Sequence, residues 1–264
     1  MIKTKALIGC DGVNSAVAKW LGFKSPEFTS RAAIRGYADF KSSHGFGNKF
    51  LQFFGKGMRL GFIACDDETI YWFFTRWTSS QDEELERNPA RMKQLVLNNL
   101  ENVPDHVRRV VESTDLGSID SNRLRYRHPW DVLWGNISKG NACVAGDALH
   151  PMTPDIGQGG CSALEDGIVL ARCLAEALKK SPCKETGGEK DKEGYKRFEM
   201  GLKKYAKERR WRSVELISTA YAVGFIQQSN GKIINFLRDA LLSNFLAGQL
   251  LKKADFDCGK LTVS

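Results

Sequence analysis

Several features that would place this chain in a common class are missing. It has no run of about 18 uncharged apolar residues of the kind a membrane-spanning helix needs. Its seven cysteines (Cys10, Cys65, Cys143, Cys161, Cys173, Cys183 and Cys258) form no Cys-x-x-Cys pair and leave one over, which argues against a zinc site or a disulfide scaffold. Most of them sit in apolar stretches, where a reduced thiol packs as a small hydrophobe, as expected in a reducing intracellular compartment. There are four histidines (His44, His106, His128 and His150), none with a carboxylate or cysteine at metal-ligand spacing. No metal is expected, and His150 is expected to be a packed or hydrogen-bonded residue. The opening MIKTKALIGC has too short an apolar run for a secretory signal, and Asp11 follows it at once. Zinc-finger spacing, an RNA-binding aromatic signature and a Gly-x-x-Gly loop in a suitable context are absent as well.

What remains is an ordinary globular composition: 264 residues, 42% apolar and 27% charged, enough for one large domain or two smaller ones. The formal charge of +8 is concentrated late, in KKYAKERRWR (Lys203 to Arg212). Without a reading module this stretch is expected to be a solvated helix face with snorkelling stems, not a nucleic-acid site.

Two strand-turn-helix units flank a stretch of different texture. KALIGC suits a buried strand, and DGVNSAVAKWLGF continues with an Asp-Gly turn, Asn14 or Ser15 as N-cap and Gly22 as the stop. From Arg31 to Trp77, alternating aromatic-rich segments separated by short turns predict an antiparallel sheet. Most of its aromatics should form the sheet core, and one face is free to line a pocket. GFGNKF (Gly45 to Phe50) and GKGMRLG (Gly55 to Gly61) are expected to be hairpin turns. NPARMKQLVLNNL and VPDHVRRVVEST predict helices, the first with Pro89 near its first turn. The second unit runs from NACVAGD to ALKK, and its helix carries an apolar stripe at Leu164, Ile168, Ala171, Leu174 or Ala175, and Leu178 that is expected to be buried. A charged loop (181–194) and two late helices, YKRF to FIQQ and KIINF to LLKK, complete the pattern.

The second unit contains the most specific stretch, AGDALHPMTPDIGQGG (Ala145 to Gly160). A strand ends at Ala145, Gly146 holds nothing away from the backbone, and Asp147 presents an acceptor-only carboxylate at the strand's carboxyl end, where open α/β sheets bind ligands. Gly157, Gly159 and Gly160 expose backbone N–H groups at the start of a helix, whose dipole favours negative charge. Such a turn suits a ligand with hydroxyls at one end and electron-rich atoms at the other. The competing reading is that Asp147 caps a helix and the glycines permit tight packing.

LIGCDGVNSAV and VAGDALHPMTPDIGQGGCSALEDGIVLA together resemble the group A flavin-dependent monooxygenases, the aromatic hydroxylase and zeaxanthin epoxidase-like family, with wording similar to its plant members. The fold this implies is α/β (α+β): an incomplete Rossmann-like FAD-binding domain (1–30 and 119–180), an inserted antiparallel substrate sheet (31–118), the surface loop (181–194) and C-terminal helices (195–264). The resemblance places FAD against Asp11, Gly12, Gly146, Asp147, Pro154, Gly157, Gln158, Gly159 and Gly160. Asp147 would hydrogen-bond the ribityl chain, Pro154 and the following backbone would lie against the isoalloxazine, and Asp11 would sit near the pyrophosphate. The implied activity is a monooxygenase in which NAD(P)H reduces the flavin and O2 adds to form a flavin hydroperoxide, which hydroxylates or epoxidises a small organic substrate. No single side chain stands out as catalytic.

Two differences from the family pattern are visible. The Asp-Gly motif ends in Ala18 and Lys19 where the family has arginine, and no Gly-x-Gly-x-x-Gly turn opens a helix. The chain therefore reads as the carboxyl-terminal part of a longer enzyme, expected to be marginally stable and to retain FAD poorly when expressed alone. The same absence disfavours a nicotinamide-only dehydrogenase and leaves a catalytically silent binding partner as the alternative. The implied location is intracellular, cytoplasmic by default, or a plastid if a transit peptide precedes Met1.

Overall fold

The computed structural model describes residues 3–55, 57–78, 82–100, 103–179, 188–228 and 253–261. In chain order the elements are β1 (Leu7–Gly9), α1 (Ala16–Trp20), β2 (Glu27–Asp39), β3 (Phe50–Gly55), β4 (Met58–Ala64), β5 (Thr69–Trp77), α2 (Glu83–Glu86), α3 (Pro89–Asn98) and α4 (Asp105–Ser113). They continue with β6 (Ile119–Tyr126), α5 (Pro129–Trp134), β7 (Ser138–Lys139), β8 (Ala142–Val144), α6 (Gly159–Lys179) and α7 (Gly188–Gln228). The chain divides into two compact units. The described part of the first is 3–27, 125–179, 188–224 and 253–261, and that of the second is 28–55, 57–78, 82–100, 103–124 and 225–228.

The second unit is a five-stranded sheet in the order β3-β4-β5-β2-β6. β3, β4, β5 and β2 pair antiparallel in succession. Its period-two pattern puts Ile34, Ala38, Leu60, Phe62, Ile70, Trp72 and Phe74 on one face, buried with Met92 and Val96 of α3 and Val107, Val110 and Val111 of α4. Trp72 reaches full burial because its indole N–H donates to Thr114 Oγ1 at 2.9 Å. The opposite face keeps Tyr37, Phe50, Phe54 and Ile63 exposed, with Phe73 between Phe50 and the Arg59 guanidinium. The aromatics are thus shared between core and open face.

β3 and β4 form a hairpin, Gly55 opposite Met58. GFGNKF is not a hairpin turn. β2 has β5 and β6 as its neighbours, so the chain leaving β2 must cross to the far edge of the sheet, and these residues form that longer connection.

The first unit has a three-stranded sheet in the order β1-β8-β7, with α1, α6 and α7 contributing to one core. Ser15 is the N-cap of α1, accepting from the Ala18 N–H at 2.8 Å. Two expectations fail here, for one reason. α6 buries Ser162, Glu165, Asp166, Val169, Leu170 and Cys173, while Leu164, Ile168 and Leu178 of the apolar stripe are exposed, Leu164 at 73%. On α7, Lys203, Lys204 and Lys207 are solvated as expected, but Arg209 and Arg212 are buried. The acids of α6 and the arginines of α7 turn inward to pair with one another, and periodicity of apolar residues carries no information about such pairs. Residues 181–187 of the anticipated loop and nearly all of the KIINF to LLKK helix lie outside the described residues, and 188–194 belong to α7. Among the described residues no helix is long and apolar enough to cross a membrane, and no cluster of His, Cys, Asp and Glu could hold a metal ion.

Candidate functional site

β1 and β8 pair in parallel, Leu7 with Ala142, Ile8 with Cys143 and Gly9 with Val144, and the Ala145 N–H donates to Gly9 O at 3.0 Å. Parallel pairing in this register makes both strands end at one edge, so Asp11-Gly12 and Gly146-Asp147 emerge side by side, although more than 130 residues separate them in sequence. The two halves of the anticipated site are brought together by that ladder.

Asp11 lies at this edge, but its carboxylate is turned onto the start of α1. It accepts from Ser15 Oγ at 2.6 Å, the Ala16 N–H at 2.8 Å and the Val17 N–H at 3.4 Å. The hydrogen bond from Ser15, aided by these backbone donors, holds its carboxyl below the usual carboxylate range. Asp11 therefore shapes the turn, and its neighbour Gly12 leaves the edge open, because a Cβ there would meet nothing within 4 Å.

Gly146 adopts φ +61°, a left-handed conformation that favours glycine. Its carbonyl accepts from the Leu149 and His150 N–H groups at 2.8 and 2.9 Å, closing a tight turn that leaves Asp147 exposed. The Asp147 carboxylate takes no hydrogen bond from the described residues, so it is not a cap. Pro154 is exposed at the head of a single 3-10 turn (Pro154–Ile156) that ends on Gly157 at φ +65°. Gln158 O accepts the Ser162 N–H at 2.8 Å, and α6 runs on from Gly159. A Cβ on Gly157 or Gly160 would meet nothing within 4 Å, and one on Gly159 only Met152 at 3.9 Å. These glycines are not packing residues. They leave open space over the N-terminal turn of a 21-residue helix.

Behind the turn stands a buried polar network. Asp166 Oδ2 accepts from the Gly146 N–H and from His150 Nε2, each at 2.7 Å, and Oδ1 accepts from Arg209 Nε at 2.6 Å. Burial alone would raise the Asp166 carboxyl, but the His150 hydrogen bond and the positive charges beside it hold it below the usual range. Arg209 also donates to Ser162 O and Oγ and pairs with Glu165 at 2.8 Å. Glu165 in turn binds Arg212, and the Phe256 ring lies over both guanidinium groups. His150 is fully buried in this network, the packed and hydrogen-bonded residue expected. Tyr205 donates to Val144 O at 3.1 Å, which ties α7 to the end of β8.

Arg127 holds the loop from the other side, donating to the carbonyls of Leu149, Ala148 and Lys24 while stacked 4.6 Å from the Phe23 ring. Its burial lowers the guanidinium pKa to about 10. Asp166, Arg209 and Arg127 escaped the reading of the motif itself. The one signal for them was an acidic pair, Glu165-Asp166, inside an otherwise apolar helical run.

This geometry has counterparts among known proteins. A family model described as the FAD binding domain matches residues 1–186. The chain is 58% identical over 261 residues to Monooxygenase 2 of Arabidopsis thaliana, covering 99% of this chain and 64% of that protein. It is 31% identical over 184 residues to the chloroplastic zeaxanthin epoxidase of Prunus armeniaca, 69% of this chain and 26% of that one. A crystal structure of Klebsiella pneumoniae HpxO complexed with FAD and uric acid superimposes with a TM-score of 0.74 at 20% identity, covering 95% of this chain and 59% of its own, a likeness of fold. The chain spans a little under two thirds of the length of the Arabidopsis relative, 64%. On the match over residues 1–186, the chain belongs to the FAD-binding domain family, and the relatives named here are a monooxygenase and a zeaxanthin epoxidase.

Proposed function

We propose that the edge formed by β1 and β8 holds FAD in an NAD(P)H-using monooxygenase that acts on a small organic substrate, aromatic or isoprenoid-like, in a reducing intracellular compartment. The observation that carries this reading is the open glycine surface beside an unpaired Asp147, at the point where the two parallel strands end. The residues present fit the cofactor. Asp147 offers an acceptor for ribityl hydroxyls. Pro154 and the backbone of Gly157, Gln158, Gly159 and Gly160 offer a flat, unobstructed rest for the ring, with the N–H groups of α6 facing it. Gly12 leaves room for the pyrophosphate, and Asp11 fixes the turn that Gly12 belongs to.

Bound FAD would supply the redox and oxygen chemistry, with NAD(P)H as electron donor and O2 as oxygen source. The chain's own part is placement. The α6 N-terminus would favour negative charge on a bound ring, and the Asp166 and Arg127 anchors hold the Gly146 turn in place. The outer face of the second unit's sheet, with Phe50, Tyr71 and Phe73 beside Gln52, has aromatic and polar surface of the kind a planar substrate uses. The test is a titration with FAD followed by flavin fluorescence. Asp147→Ala should weaken binding by about 10- to 100-fold, the value of a charge-assisted hydrogen bond, and equal affinity in the variant would remove Asp147 from the site.

A further inference from the structure

Three exposed tryptophans lie on the first unit, on α1 and α5. α5 buries only Val132 and sets Trp130 and Trp134 one helical turn apart, their rings stacked at 5.5 Å and 20° yet 59% and 74% exposed. Phe23 packs on the end of this helix, since a Cβ on Gly135 would lie 2.5 Å from its ring. Three residues before Phe23, Trp20 is 61% exposed, with Lys139 Nζ 5.7 Å over its ring. Arg210 anchors the end of α5 by donating to the carbonyls of Val132, Leu133 and Gly135. The three indoles are therefore presented by fixed backbone, one on each side of the Phe23–Gly135 joint and one a turn further along.

Three large aromatics in water on one small region are unusual. At about 200 Å² per ring system they leave on the order of 400 Å² of indole surface exposed, the size of the largest patches on soluble monomers, which are often functional. Lysines outnumber acids around them: Lys19, Lys24 and Lys139 are exposed, against half-buried Asp131 and against Glu27, which pairs with His128 at the start of α5. Indole is the side chain that settles at the headgroup level of a bilayer, where its ring is apolar and its N–H stays wet. Lysine beside it keeps its stem along the apolar surface and its ammonium among anionic headgroups.

We infer that this face docks on the surface of a bilayer that carries anionic phospholipid, lying on it without crossing it. The proposal is independent of flavin and is tested without it. The chain is sedimented with vesicles of phosphatidylcholine alone and of phosphatidylcholine with phosphatidylserine, at low and high salt, while tryptophan emission is recorded. Binding to the serine-containing vesicles with a blue shift, weakened by salt, is expected. Trp130→Ala with Trp134→Ala should lower the partition coefficient at least about tenfold, because affinity follows buried apolar area. Lys19→Glu with Lys139→Glu should lower it at least about fivefold for each lysine. All four positions are exposed, and far-UV circular dichroism confirms that the variants keep their fold. No binding to anionic vesicles, equal binding to neutral ones, or binding unchanged by the double tryptophan variant overturns the inference. Self-association in the absence of lipid that the tryptophan variant abolishes would assign the face to a second copy of the chain.

Discussion

Replacing Asp166 by asparagine removes a charge and little volume. In the native network one oxygen accepts two donors, from Gly146 and His150, and the other accepts Arg209 Nε. An amide has one oxygen, so its NH2 group must face either the Gly146 and His150 donors or the guanidinium, donor against donor. Losing one partner of a fully buried ion pair costs about 3–5 kcal/mol. Glu165 still pairs with Arg209 at 2.8 Å in the variant, which places the expected loss near the lower end, about 3 kcal/mol. That is a large share of a typical domain stability of about 5–15 kcal/mol.

The pH dependence gives a second, independent reading. The Asp166 carboxyl is held below its ordinary value of 3.8 in the folded chain. Its contribution is thus present above that ordinary value and is lost as pH falls through the lower, folded one. Wild type and Asp166→Asn should differ fully at neutral pH and converge in acid. Because the chain has two units, the assay is hydrogen exchange in graded denaturant, read on peptides from β8 and α6, which report the first unit alone. A loss under about 1 kcal/mol at neutral pH, or a difference that does not narrow in acid, would refute the account of Asp166 as the charged hub behind the Gly146 turn.

Arg127→Met should leave the carbonyls of Leu149, Ala148 and Lys24 without their donor, costing about 2–4 kcal/mol and raising exchange of the 146–151 amides, while exchange in the second unit's sheet stays the same. Gly160→Ala separates packing from binding. A methyl there meets nothing, and alanine suits the first turn of a helix, so stability should hold or rise by up to about 1 kcal/mol. The same methyl enters the space proposed for the flavin ring, so FAD affinity in the titration should fall. A stable variant with undiminished affinity would place the ring elsewhere.

Much of the second unit was legible in the sequence because a half-buried strand writes its burial as alternation. β2, β4 and β5 appear where the aromatic pattern puts them, and Pro89 and Asn88 mark the start of α3 as their types require. The cap of α1 was legible as Asn14 or Ser15, and the structure assigns it to Ser15. The GFGNKF connection did not, because local glycine content looks the same in a hairpin turn and in a crossing loop. Only the strand order distinguishes them.

The division is clearest at the site. The sequence by itself determined the local form of the candidate edge, since Gly146, Asp147, Gly157, Gly159 and Gly160 follow from local chemistry: a left-handed turn, an acceptor at a strand end and bare backbone at a helix start. Tertiary structure alone decided what stands behind them. The inward face of α6 is its charged one, Leu164 and Ile168 face water, and the arginines of an apparently solvated stretch are buried. Hydrophobic periodicity reports the transfer of single side chains out of water, a property each residue carries alone. A buried ion pair such as Asp166–Arg209 depends on two residues 43 positions apart meeting in one place, and that meeting exists only in the folded chain.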